Sequence, residues 1–261
     1  MRPKIVWPTS LAFIMCGIFF SLSKGDHLAP DEELLDALRK RGPDSMGMRS
    51  RTVTVQPITS TSTLTQSRLL TFVSTVLSLR GDSIMNQPLE DPNSGSLFCW
   101  NGEAWKIDNV LVQGNDAKAV FDLLLQASQS YSTDSQDGSS SPEQGLQNVI
   151  QAIGSITGPY AFVFYDAHCR RVFYGRDVLG RRSLVTKRYR AGSLAISSVP
   201  DATEADGWDE VEADGVYMLD LEGNVASHIP WAVGDRTHGL SYPLVKPPFI
   251  HFPNLSNILR H

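Results

Sequence analysis

The chain has 261 residues, 41% of them hydrophobic and 20% charged, an ordinary globular mixture able to bury a sizeable core. Its net charge of −5 supplies no basic field for nucleic acid or an anionic membrane, so neither is expected as a partner. Cys16, Cys99 and Cys169 form no metal-ligand spacing and no even disulfide framework, and the histidines are scattered; no metal site is expected, and a reducing, cytoplasmic setting is.

Arg2 and Lys4 precede Ile5-Val6-Trp7, and Pro8 separates these from Leu11-Ala12-Phe13-Ile14. The apolar run is far shorter than the roughly 20 residues that cross a bilayer. Residues 1–15 read as an extension ahead of the domain or as a start assigned too early. A removed propeptide ranks second and a secretion signal third.

Met15-Cys16-Gly17-Ile18 follows. Were Cys16 the first residue of a trimmed chain, it would carry both a thiol and a free α-amine. That amine has an ordinary pKa of roughly 7.7–8.0 and could take the thiol proton. The alternative is a small buried hydrophobe at the start of a strand. Residues 16–22 are apolar and β-prone. Residues 31–40 read as a helix, acidic in its first turn and basic in its last, with Leu34, Leu35 and Leu38 on one face. Arg41-Gly42-Pro43-Asp44 ends it.

Residues 51–80 read as strands joined by a Ser/Thr loop near 59–63, with Arg80-Gly81-Asp82 closing the last. Residues 87–95 are turn material. Leu97-Phe98-Cys99-Trp100 is a strand, and Asn101-Gly102 alone reads as a type I′ turn. Residues 117–125 form a helix capped by Asn115 or Asp116. Residues 128–145 shift to Ser, Asp, Gln and Gly, a flexible insertion, and 147–156 form a further short helix. Two strand pairs follow, 161–166 with 171–175 and 184–185 with 194–197. Residues 216–220 read as the last strand, and 230–261 as an irregular tail. Helices set among antiparallel-looking strands indicate layered α+β architecture.

Taken together, Met15-Cys16-Gly17-Ile18, Arg41-Gly42-Pro43-Asp44, Leu79-Arg80-Gly81, Trp100-Asn101-Gly102-Glu103, Gly114-Asn115-Asp116 and Gly175-Arg176-Asp177-Val178-Leu179-Gly180-Arg181-Arg182 resemble the glutaminase domain of class II glutamine amidotransferases. Within that class the resemblance is nearest to asparagine synthetases and the asparagine synthetase domain-containing proteins. It implies a four-layer αββα N-terminal nucleophile hydrolase sandwich of two antiparallel sheets, over residues 16–229. It implies that Cys16 attacks the side-chain amide of L-glutamine, with the Asn101 side chain and the Gly102 N–H binding the oxyanion. Arg80 would hold the substrate α-carboxylate, and Asp116, helped by Glu103, the α-ammonium. Arg41 and Asp44 would shape the pocket wall. Arg176, Asp177, Arg181 and Arg182 would form a buried or interface charge network.

Such a domain needs no cofactor; ATP and magnesium would belong to a synthetase domain, whose pyrophosphate loop is absent from this sequence. The ammonia would pass to a synthetase domain or subunit. The competing readings are a weakly reactive glutaminase-like binding module and a truncated fragment of a longer asparagine synthetase-like protein.

Overall fold

A computed structural model describes residues 15–55, 65–129, 142–189, 192–201, 207–231 and 250–251. In chain order the elements are β1 (Gly17–Ser23), α1 (Glu32–Arg41), β2 (Ser45–Val55), β3 (Gln66–Val76), β4 (Leu89–Glu90), β5 (Leu97–Gly102), β6 (Lys106–Ile107) and β7 (Val110–Leu111). There follow α2 (Asp116–Gln129), α3 (Pro142–Gly154), β8 (Ile156–Thr157), β9 (Tyr160–Asp166), β10 (Arg171–Arg176), β11 (Val185–Arg188), β12 (Leu194–Ser197), β13 (Trp208–Glu210), β14 (Gly215–Asp220), β15 (Val225–Pro230) and β16 (Ile250–His251).

Two large antiparallel sheets carry the fold. One runs β13-β11-β12-β1-β3-β2, the other β16-β15-β14-β10-β9-β5-β4; a small third sheet is β7-β6-β8. The alternation of side chains along a strand explains the layering. From β1, Ile18, Phe20 and Leu22 face the second sheet; from β9, Ala161, Val163 and Tyr165 face the first, and together they build the inter-sheet core. The opposite face of β1 presents Phe19 to Leu34 and Leu38 of α1. The opposite face of β9 presents Tyr160, Phe162 and Phe164 to Val120, Phe121 and Leu124 of α2 and Val149 and Ile153 of α3. Central strands are thus buried on both faces, which is why β1 and β9 read as nearly unbroken apolar runs. The stack is helix, sheet, sheet, helices: the four-layer α+β sandwich.

Helix α1 starts one residue later than the expected 31, because Asp31 is its cap, with Oδ1 accepting from the Leu34 N–H at 2.8 Å. Gly42 ends it where the chain passes against β3; a Cβ there would lie 2.4 Å from the Thr75 carbonyl carbon, so only glycine fits.

Several boundaries differ from the sequence reading. The strand expected to close at Arg80 ends at Val76. Asn101-Gly102 is the end of β5, paired with Ala161 and Tyr160, and makes no hairpin turn. The expected insertion at 128–145 is narrower: α2 extends through Gln129 and α3 starts at Pro142, a residue suited to a helix's first position. The Ser/Thr loop at 59–63 and residues 130–141 lie outside the described residues, as do 1–14 and most of the expected tail. Strand β14 is not the last. β15 pairs along its length, with His228 opposite Tyr217 and their rings stacked at 4.6 Å. Ser227 and His228 hid this strand's periodicity.

Candidate active site

Cys16 lies one residue ahead of β1. Gly17 is fixed by Ser74 Oγ, which donates to its carbonyl at 3.0 Å, and the Ile18 N–H donates to Ser198 Oγ at 3.0 Å. The thiol sits against the end of β3. Sγ accepts from the Leu77 N–H at 3.4 Å and faces the Leu77 carbonyl at 3.7 Å. Burial pushes the Cys16 pKa up. The Leu77 contact opposes this, the Asp116 charge adds to it, and the Arg41 guanidinium opposes it. Near neutral pH the thiol is therefore protonated.

Neither Arg41 nor Asp44 lines the cleft, contrary to expectation; Arg41 packs against the Met15 and Cys16 backbone. Its carbonyl accepts from the Met15 N–H at 2.9 Å and its Nε donates to the Cys16 carbonyl at 3.4 Å. Burial brings its pKa down to about 10. Asp44 ties the neighbouring loop, with Oδ2 accepting from the Ser78 N–H at 2.7 Å.

The end of β5 supplies the opposite wall. Trp100 is held by its backbone N–H on Gln87 Oε1 at 2.7 Å, by its indole N–H on Asp116 Oδ2 at 2.9 Å, and by Tyr160 stacked at 5.2 Å. The next residue, Asn101, is 1% exposed, and its Nδ2 has no hydrogen-bond partner among the described residues. Trp100 directs its N–H to Gln87, and Glu103 directs its N–H across the sheet to the Pro159 carbonyl at 2.9 Å. Strand alternation therefore turns the Gly102 N–H toward the Gln87 edge, away from β9.

Asp116 is the first residue of α2 and 5% exposed. Its neighbour Asn115 caps the helix, Oδ1 accepting from the Lys118 N–H at 3.2 Å. Asp116 is thereby freed to turn inward. Both its contacts, from the Trp100 indole and from the Ala104 N–H at 2.8 Å, fall on Oδ2. Arg80 is partly buried and donates to the carbonyls of Ala104 at 3.0 Å and Val112 at 3.1 Å, anchoring the segment that carries Glu103. Glu103 Oε1 accepts from Arg182 at 3.3 Å.

All six residues expected at the site, Cys16, Arg80, Asn101, Gly102, Glu103 and Asp116, line one cleft that opens to solvent. Gln87 and Arg182 line it too and were not expected there. The charge network expected of Arg176, Asp177, Arg181 and Arg182 forms only in part. Arg176 and Arg181 belong to it: Arg181 Nε donates to Asp177 Oδ1 at 2.9 Å, and Arg176 Nε to the Arg182 carbonyl at 2.6 Å. The Arg182 side chain leaves it for the cleft, because its backbone is held by Arg176 while its neighbour Arg181 turns back to Asp177. No sequence signal separates the two adjacent arginines. Among the described residues, no group of three or more His, Cys, Asp or Glu is placed to hold a metal ion.

Comparison with known proteins fits this architecture. No family model matches the chain. It is 31% identical over 220 residues to asparagine synthetase domain-containing protein 1 of Homo sapiens, and 32% identical over 216 residues to that of Bos taurus. These matches cover 82% and 80% of this chain, which spans 29% of the length of each relative. Among solved structures, glutamine phosphoribosylpyrophosphate amidotransferase from B. subtilis superposes with a TM-score of 0.51 at 16% identity, covering 82% of this chain and 49% of that one. The chain is a homologue of the asparagine synthetase domain-containing proteins and shares the four-layer αββα sandwich fold of glutamine phosphoribosylpyrophosphate amidotransferase.

Proposed function

We propose that the cleft hydrolyses L-glutamine to glutamate and ammonia through a thioester on Cys16. The observation that carries the reading is the buried Asn101 Nδ2, without a partner among the described residues, on the wall of the cleft that also holds the Cys16 thiol. A buried donor without an acceptor costs roughly 1–3 kcal/mol. It is accounted for if an oxygen arrives with the substrate and gains negative charge there.

With residues 1–15 removed, the Cys16 amine takes the thiol proton. The sulfur attacks the amide carbon, and the carbonyl π pair moves onto oxygen, held by Asn101 Nδ2 and the Gly102 N–H. Collapse expels ammonia, which leaves with the proton from the amine. Water then cleaves the thioester, releasing glutamate and restoring the thiol. Asp116 Oδ1 and Glu103 suit the substrate α-ammonium. Arg80 suits its α-carboxylate, with each Nη keeping a second hydrogen beyond the carbonyl it holds.

The relatives' name suggests that a synthetase domain or subunit takes up the ammonia; any ATP and magnesium would act there. A glutamine-like electrophile tests the reading: covalent label on Cys16 alone supports it. Label on Cys99 or Cys169, with Cys16 inert in a chain beginning at Cys16, overturns it.

A further inference from the structure

Of the two cations that line the cleft among the described residues, Arg80 and Arg182, this reaction leaves Arg182 unused. Its side chain is 19% exposed. One end of the guanidinium reaches Glu103, while Nε is buried with no partner among the described residues. The segment is rigidly set: Arg176 holds the Arg182 carbonyl, and Ser183 Oγ donates to the Ser198 carbonyl at 2.7 Å. Ser198 in turn pairs with Ile18, two residues from the nucleophile. The charge of Arg182 is also felt at Arg41, beside Cys16, where it helps to lower the arginine's pKa.

The charges of the cleft do not cancel. Arg80 and Arg182 on its wall balance Glu103 and Asp116, the thiol is neutral, and Arg41, beside the Cys16 backbone, adds one further positive charge at the thiol end. Glutamine carries no net charge and leaves one positive charge uncompensated. Glutamate carries one negative charge and cancels it. A carboxylate oxygen, being ionised, is also a stronger acceptor for a guanidinium N–H than a neutral amide oxygen.

Resting on the glutaminase reading, we infer that Arg182 is a specificity-determining residue: its Nε donates to the side-chain carboxylate of bound glutamate, so the cleft retains its product. Glutamate then competes with glutamine, and Arg182 sets the ratio of the two affinities.

Isothermal titration of the full chain carrying Cys16→Ser, in which neither ligand is consumed, measures both affinities. Adding Arg182→Met should weaken L-glutamate by about tenfold or more, the weight of one hydrogen bond between charged partners, with glutamine changed by less than about threefold. Arg182→Lys keeps the charge opposite Glu103 without the Nε donor and should lose part of the glutamate preference. An unchanged glutamate affinity, or an equal loss for both ligands as a structural role would give, overturns the assignment. If Arg182→Met fails to fold, Arg182→Lys decides by the same ratio. A trimmed chain that releases no ammonia, yet shows the selective loss, refutes hydrolysis and leaves Arg182 in its role. Binding of neither ligand refutes both.

Discussion

Asp116 holds the fold and, on this account, the substrate, and two substitutions separate these tasks. Asp116→Ala removes the acceptor of two buried donors, the Trp100 indole N–H at 2.9 Å and the Ala104 N–H at 2.8 Å. Each stranded donor costs roughly 1–3 kcal/mol, together about 2–6 kcal/mol. At about 2–4 °C per kcal/mol for a domain of this size, Tm should fall by roughly 4–24 °C. Asp116→Asn leaves a carbonyl oxygen with two lone pairs for the same two donors, while the charged Oδ1 becomes an uncharged NH2 donor. Its Tm should stay within a few degrees of the parent, while glutamine affinity falls by about tenfold or more as the α-ammonium loses its anion. Differential scanning calorimetry and titration with glutamine read the two effects. An Asp116→Ala chain that melts with the parent would show that the two hydrogen bonds carry no stability. An Asp116→Asn chain with unchanged glutamine affinity would show that the carboxylate does not meet the substrate.

Asn101→Ala should lower turnover by about a hundred- to a thousandfold with glutamine affinity nearly unchanged, since it removes one oxyanion donor; steady-state kinetics beside titration would show a loss of affinity instead if the side chain only binds. Gly102→Ala should prevent folding, because the added Cβ would lie 2.6 Å from the Pro159 carbonyl oxygen and 2.6 Å from Tyr160 Cβ, prising β5 from β9; a soluble, cooperatively melting variant would refute the pairing. Arg80→Ala should weaken glutamine binding, by about 2–5 kcal/mol if the α-carboxylate loses its only buried partner, and an unchanged titration would contradict the assignment. Stability should fall as pH rises above about 9. Burial raises Cys169 from 9.0 to about 11 and Cys99 further, so the unfolded chain releases these protons first and is favoured as pH climbs. Urea midpoints measured from pH 8 to 11 would refute this if they stayed flat.

The parts of the fold that sequence made legible are those set by local rules. The acidic first turn, the basic last turn and the spacing of Leu34 and Leu38 define α1 because dipole and apolar face agree. β9 and β10 were readable because their strands are buried on both faces. Asn101-Gly102 misleads because Asn-Gly favours a turn locally, and only pairing with β9 holds it extended. Asn115 and Asp116 were interchangeable as caps on propensity alone; the Trp100 indole and the Ala104 N–H decide which one turns inward. The meeting of Cys16, Arg80, Asn101 and Asp116 came from family resemblance, since no spacing encodes it. It arises where the ends of β1 and β3 in one sheet stand over the end of β5 in the other. Arg182 stayed hidden because its direction depends on how Arg176 and Asp177 hold the turn before it.

The central claim is that Cys16, once its amine is free, hydrolyses glutamine in this cleft. The direct measurement is ammonia released from L-glutamine by three chains: one beginning at Cys16, the same chain carrying Cys16→Ser, and the full 261-residue chain kept untrimmed. Release by the first alone is the predicted result. Equal release by the untrimmed chain would contradict the amine as base, and silence from the first chain while it binds glutamine would contradict the assignment of hydrolysis itself.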